Sequence, residues 1–138
     1  MDIPDELKKS IDELLLKNKT NEIIEDAKII SNRYRNNEGK GKRLLTKPNE
    51  AISYAISRMP ATYAAVHKAV QQTIENYDED LQTLLDIGAG TGAAVWAIND
   101  ILNIKNIKCF ERENSMMNIG KQLMSKTKLS NVKWEQLD

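Results

Sequence analysis

The run Leu84-Leu85-Asp86-Ile87-Gly88-Ala89-Gly90-Thr91-Gly92 constrains the fold more than any other part of the chain. A short apolar segment ends in three alternating glycines, and a helix-forming stretch follows at once. Glycine supplies the positive φ angles of a tight strand-to-helix turn and leaves no Cβ where a ligand must meet bare backbone. The helix start adds unpaired N–H donors. The pattern predicts an α/β fold that holds a small molecule at the end of its first strand.

The surrounding segments agree with that reading. From Leu81 the pattern alternates: a strand over 82–87, a helix from Thr91 to about Leu102, a strand over Ile107–Phe110, a helix capped by Ser115 and ending near Lys126, and a strand over Val132–Leu137. Such alternation gives parallel βαβ units with right-handed crossovers.

Upstream, the chain reads as helices. Pro4 suits a first turn, with Asp5 and Glu6 at the positive end of the dipole. Ile3, Leu7, Ile11, Leu14 and Leu15 follow at helical spacing. Thr20 caps a second helix with Ile23, Ala27, Ile30 and Tyr34 on one face, and residues 36–42 form a loop. Pro48 opens a third helix carrying Ile52, Ala55 and Ile56. Pro60 ends it after Met59 and starts a fourth, which runs to about Tyr77; its Ala61, Ala64, Ala65 and Ala69 are small enough to admit a close neighbour. Residues 1–80 are thus a helical region, and 81–138 the first half, three parallel strands, of a Rossmann-like domain.

Glycine spacing separates two ligand classes. Dinucleotide sites favour G-x-G-x-x-G, with a pyrophosphate at the helix start. Here the spacing is G-x-G-x-G and an acid, Asp86, precedes it. That acid would repel a pyrophosphate but suits S-adenosylmethionine, which carries an ammonium and a sulfonium and no phosphate. Asp86, Gly88, Ala89, Gly90 and Gly92 are the expected contacts for the methionine end. Glu111, closing the second strand, is placed to take both ribose hydroxyls, and Asp138, closing the third, to meet the adenine amino group. The alternative for the glycines is a plain tight turn, and for the two acids a solvated strand end.

Composition removes several other classes. Twenty basic and twenty acidic residues give a net charge of zero, so only local clustering bears on nucleic acid. Such a cluster lies over 33–47: Arg33, Arg35, Lys40, Lys42, Arg43 and Lys47 against the single acid Glu38. It could neutralise RNA phosphates, or be a solvated loop balanced by acids elsewhere. One cysteine, Cys109, allows neither an internal disulfide nor a multi-cysteine metal site, and it reads as a small core residue. His67 has no second metal ligand in view, so no metal is expected. The acidic start lacks a signal-peptide pattern and no apolar run is of membrane length, so a cytoplasmic protein is expected.

Two stretches, Arg58-Met59-Pro60-Ala61-Thr62-Tyr63-Ala64-Ala65 and Leu85 through Gly92 to Ala97, carry a family resemblance. Together with Ile3–Leu7, Ser31–Arg35 and Glu111-Arg112-Glu113, they resemble the methyltransferase-like proteins of the small ribosomal subunit, the Rsm-twenty-two type of bacteria and mitochondria. The resemblance implies a class I methyltransferase fold binding S-adenosylmethionine and association with the small ribosomal subunit or its rRNA. Two functions follow from it: methyl transfer to rRNA, or a non-catalytic assembly factor on the same scaffold. The family's iron–sulfur centre rests on a cysteine cluster that Cys109 alone does not supply.

A complete class I domain has further strands, which commonly carry catalytic residues. The chain is therefore expected to be a fragment, inactive alone, with no general base assignable. Parallel strands want cover on both faces. Self-association, element swapping or cover from the N-terminal helices is the expected consequence. Arg58, Met59 and Tyr63 could wall the cofactor pocket or, for Met59 and Tyr63, simply be core; Trp96 and Trp134 read as packing.

Overall fold

The computed structural model describes residues 2–17, 28, 29, 32 and 48–137. Within them lie α1 (Asp5–Leu16), α2 (Pro48–Ile74), β1 (Thr83–Ile87), α3 (Ala93–Leu102), β2 (Asn106–Glu111), α4 (Asn114–Met124) and β3 (Lys133–Gln136). The three strands form one parallel sheet in the order β1-β2-β3, with Asp86 opposite Cys109 and Cys109 opposite Trp134. This is the expected half of a Rossmann-like fold. Both crossover helices lie on one face, as right-handed connections require.

Side-chain alternation divides the sheet. Leu84, Asp86, Ile107, Cys109, Glu111 and Trp134 turn toward the helices, while Thr83, Leu85, Ile87, Asn106, Lys108, Lys133 and Glu135 are exposed. The N-terminal helices join the covered side. Leu7, Ile11 and Leu14 of α1 and Ala51, Ala55, Met59 and Tyr63 of α2 share one core with Trp96, Leu123 and Met124. Among the described residues, α1 and α2 therefore do not cover the second face, where Leu85 and Ile87 remain 57% and 70% exposed.

Helix α2 departs from the expected pair of helices. It runs unbroken through Pro60. Proline removes the N–H that would serve the Ile56 carbonyl, at a cost of about 3 kcal/mol. Burial offsets it: Ala51, Ala55, Met59 and Tyr63, spaced by four, are all at most 2% exposed. The small residues expected to admit a neighbour do not form that seam, because Ala61, Ala65 and Ala69 are exposed. Two caps also differ. Glu113, not Ser115, precedes α4, and Ser115 lies buried in its first turn. Helix α3 starts after Gly92 rather than at Thr91.

Candidate functional site

The site lies at the C-terminal ends of β1 and β2, where open α/β sheets bind ligands. Gly88, Gly90 and Gly92 have φ of +76°, +61° and +93°, so all three positions favour glycine. Their surroundings differ. A Cβ on Gly88 would meet nothing within 4 Å. On Gly90 it would lie 3.1 Å from Met116 Cε, and on Gly92 2.6 Å from Met124 Cε and 3.4 Å from the Trp134 ring. Gly88 thus presents open backbone, whereas Gly90 and Gly92 are notches that receive side chains from α4 and β3.

The loop's amides are largely spent. Gly88 and Ala89 each donate to the Phe110 carbonyl at 2.9 Å, and Gly92 donates to the Ala89 carbonyl at 2.9 Å. Gly90 donates to Glu111 Oε2 at 2.5 Å. A pyrophosphate would need such donors free, so the geometry disfavours a dinucleotide on grounds independent of glycine spacing.

Glu111 turns into the loop and is 8% exposed. Its Oε1 accepts from the Arg112 amide at 2.9 Å and the Glu113 amide at 3.1 Å. A carboxylate has about four acceptor positions; with three taken, one stays open on Oε2. A grip on both hydroxyls of a sugar needs one of these three bonds to open.

Asp86 supplies the complementary feature. Its Oδ2 is buried and has no hydrogen-bond partner among the described residues. Burial raises its carboxyl above the ordinary range, and the Glu111 charge pushes it further up. An unpaired buried carboxylate oxygen is costly, and a cation placed against it relieves both the burial and the repulsion. S-adenosylmethionine fits on these counts: Asp86 could meet its ammonium, the open position on Glu111 a ribose hydroxyl, and Gly88 a close approach of the ligand.

Helix α2, where Arg58 was expected to wall the pocket, also carries Tyr54, which the sequence reading did not single out. Tyr54 is half-buried and its hydroxyl is pushed above its usual range by burial; Arg58 and a hydrogen bond with Thr62 oppose this, and Glu111 adds to it. Tyr54 is therefore within electrostatic reach of both Arg58 and Glu111. The signal was available: Tyr54, Arg58 and Thr62 recur every fourth residue beside the buried stripe of α2. Met59 and Tyr63, at 0% and 2% exposed, are core.

The model of one protein family, described as mitochondrial small ribosomal subunit Rsm22, matches residues 48–138. The chain belongs to this family. A human relative, named as the mitochondrial ribosome assembly protein METTL17, is 29% identical over 77 residues, which is 54% of this chain and 17% of the relative. The chain thus spans about a sixth of the length of that relative. The family match covers α2 as well as the strand region.

The remaining expected residues sort simply. Asp138 and the basic cluster Arg33, Arg35, Lys40, Lys42, Arg43 and Lys47 lie outside the described residues. His67 pairs with Asp100 Oδ2 at 3.1 Å, and Tyr63 donates to the same oxygen at 3.2 Å. No cluster of metal-ligand residues occurs among the described residues. Cys109 is fully buried, and burial, with the Asp86 charge added, pushes its thiol up to about 12; it is an inert core residue. Trp96 is 1% exposed and packs in the core. No helix among the described residues is long and apolar enough to cross a membrane.

Proposed function

We propose that this chain is the S-adenosylmethionine-binding part of a methyltransferase-like protein acting at the small ribosomal subunit. The observation that carries the reading is the unpartnered, buried Oδ2 of Asp86, placed beside Glu111 and two residues before the open backbone of Gly88. Asp86 would hold the ammonium, Glu111 a ribose hydroxyl, and Gly88 with Ala89 the methionine chain. Asp138 would meet the adenine amino group. When bound, the sulfonium supplies an activated methyl group. The residues here bind and orient; alignment in a dry pocket is most of what such a transfer needs. None of them is assigned as general base.

Two roles are compatible with this site, and each has support. The glycine loop with Asp86 and Glu111 favours methyl transfer to rRNA. The name of the human relative, a ribosome assembly protein, favours a non-catalytic assembly factor on the same scaffold. In both, the basic cluster over 33–47 would contact RNA phosphates with a salt-dependent contribution. The cytoplasmic placement expected from the sequence belongs to this proposal and not to the comparison, since that relative is a mitochondrial protein.

Calorimetry of the intact protein with S-adenosylmethionine, followed by labelled methyl transfer to small-subunit RNA, tests both. Binding with turnover supports the methyltransferase; binding without turnover supports the assembly factor; no binding rejects the cofactor reading. Gly88→Arg is the cleanest block, because that position faces open space while Gly90 rests on Met116. Unchanged affinity in Gly88→Arg would reject the site.

A further inference from the structure

The end of the sheet away from the glycine loop carries a second concave surface. A groove of about 510 Å³ crosses the first residues of β1, β2 and β3. Leu85 forms its apolar side, while Lys105, Asn106, Lys108, Asn131 and Lys133 line the side toward β2 and β3. Among the described residues no acid lines it. The whole chain has a net charge of zero, so the groove reflects segregation of charge and not a basic composition. The acids leading into β1 are engaged elsewhere: Glu79 accepts from the Tyr77 hydroxyl at 3.3 Å, and Asp80 accepts from the Gln82 side chain. Lys108 bridges Glu135 at 2.9 Å. Lys105 and Lys133 are exposed and have no ion-pair partner among the described residues.

We propose that this groove binds the phosphate backbone of RNA, with Lys105 and Lys133 as its free cations. The register sets Lys133 beside Lys108, and Lys105 lies three residues before Lys108. The Cα atoms of Lys105 and Lys133 are therefore about 11 Å apart. Charge spread along the strands suits a chain of repeated phosphates better than a single anion. Asn106 and Asn131 add amide donors of the kind that hold phosphate and sugar oxygens. The proposal rests on the RNA partner of the proposed function and is independent of the cofactor. Gly88 lies five residues along the chain from Thr83, which lines the groove, and that places the loop about 16 Å away. Nucleotides held in the groove are thus an anchor, distinct from any segment presented at the glycine loop.

The test uses the intact protein and labelled small-subunit RNA, with filter binding at several salt concentrations. Lys105→Gln with Lys133→Gln is expected to weaken binding about 10-fold. It should also reduce the slope of log affinity against log salt by about 1.4, since each phosphate contact to a single strand contributes about 0.7. The melting temperature should hold, because both side chains are exposed. Lys8→Gln with Lys9→Gln removes the same charge from the exposed side of α1 and should lose far less. Equal loss in the two pairs, or none in the first, overturns the proposal while leaving the RNA partner standing. A wild type without affinity for RNA removes the partner and this proposal together, and calorimetry with S-adenosylmethionine still decides the cofactor separately. Acetylation of the wild-type protein by acetic anhydride, read by mass spectrometry, needs no variant. Lys105 and Lys133 should react freely in the protein alone and be protected when RNA is bound. Protection before RNA is added would show that protein covers the groove, from the same chain or a second copy, and would overturn the assignment to RNA.

Discussion

Glu111 Oε2 accepts a hydrogen bond from the Gly90 amide across 21 positions of sequence, at 2.5 Å. With the Arg112 and Glu113 amides on Oε1, one buried carboxylate fixes both the glycine turn and the turn after β2. Glu111→Ala would strand these donors, the Gly90 amide in a buried setting. Leaving a buried donor unsatisfied costs about 1–3 kcal/mol, so Glu111→Ala should destabilise the protein by about 3 kcal/mol. Glu111→Gln keeps acceptor capacity on one atom only and should cost about 1 kcal/mol. Urea midpoints would show the ordering. If Ala and Gln cost the same, the carboxylate does not organise the turns.

Asp86 gives a pH dependence of known sign. Its folded carboxyl lies above the ordinary value of 3.8 because burial, and then Glu111, disfavour the charge. The folded state therefore holds a proton that the unfolded state has released, between 3.8 and the raised value. In that window the contribution of this group to stability is lost as pH rises. Asp86→Asn should remove the slope and raise the melting temperature of the ligand-free protein near neutral pH. A bound cation reverses the preference, so affinity for S-adenosylmethionine should fall as pH drops through the raised value, with proton release on binding. Calorimetry in two buffers of different ionisation enthalpy would detect that release. A melting temperature lowered by Asp86→Asn would mean that the carboxylate has a partner in the folded state.

Much of this was legible in the sequence, and the parts that were not share a cause. The strand, loop and helix order around Gly88 follows from local chemistry, because a glycine turn announces itself. Glu111 was placed correctly by its position at the end of β2. Its bond to the Gly90 amide was not, since it depends on how two turns meet. The break expected at Pro60 was a local rule overridden by packing: Met59 and Tyr63 are both buried on one face, and α2 continues as helix through it. Tyr54 escaped notice because a polar stripe on a helix reads as solvated until the helix is docked. The distinct roles of the three glycines also needed tertiary structure, since only the Met116, Met124 and Trp134 contacts tell them apart.

A fourth glycine went unremarked in the sequence and offers a sharp packing test. A Cβ on Gly120 would lie 2.5 Å from the Trp134 ring and 3.2 Å from the Thr91 carbonyl oxygen. The ring and the backbone are both rigid, so Gly120→Ala should destabilise by about 1–3 kcal/mol through overpacking. Trp134→Leu in that background should recover part of the loss, because it removes the atoms that clash. Thermal melts of the two single variants and the double would measure the coupling. Additive effects would show that Gly120 and Trp134 do not compete for the same space.

The pair of α2 and α3 should show coupled polar contacts. Tyr63 and His67 both reach Asp100 Oδ2, at 3.2 Å and 3.1 Å, with their rings 5.5 Å apart. Burial and the Asp100 charge push the Tyr63 hydroxyl up to about 12, so it stays a donor throughout the working range. The Asp100 side chain is 43% exposed, which limits each contact to about 1 kcal/mol. Because both donors share one oxygen, Tyr63→Phe and His67→Gln should be non-additive by about 0.5 kcal/mol or more. A double-mutant cycle on urea midpoints measures it, and strict additivity would mean that only one contact persists in solution.

The open face of the sheet makes the last prediction. Leu85 and Ile87 are 57% and 70% exposed on β1, which among the described residues is also an edge strand. Parallel strands are normally covered on both faces, and exposed apolar edges recruit other chains. Lys108 and Glu135 bridge at 2.9 Å on the same face, and Lys108 lies 5.0 Å from the Phe110 ring centroid, which masks part of it. Among the described residues, the strand with the two aliphatic side chains has no such shield. Residues 1–138 expressed alone should therefore associate as concentration rises, with light scattering showing a mass above that of one chain. Leu85→Thr with Ile87→Lys keeps β propensity at one position and places a charge at the other, on a side that the core does not use. This double variant should shift the mass toward the monomer without lowering the melting temperature. A wild-type chain that stays monomeric at high concentration, or a variant that associates equally, would show that the apolar surface of β1 does not drive contact between copies.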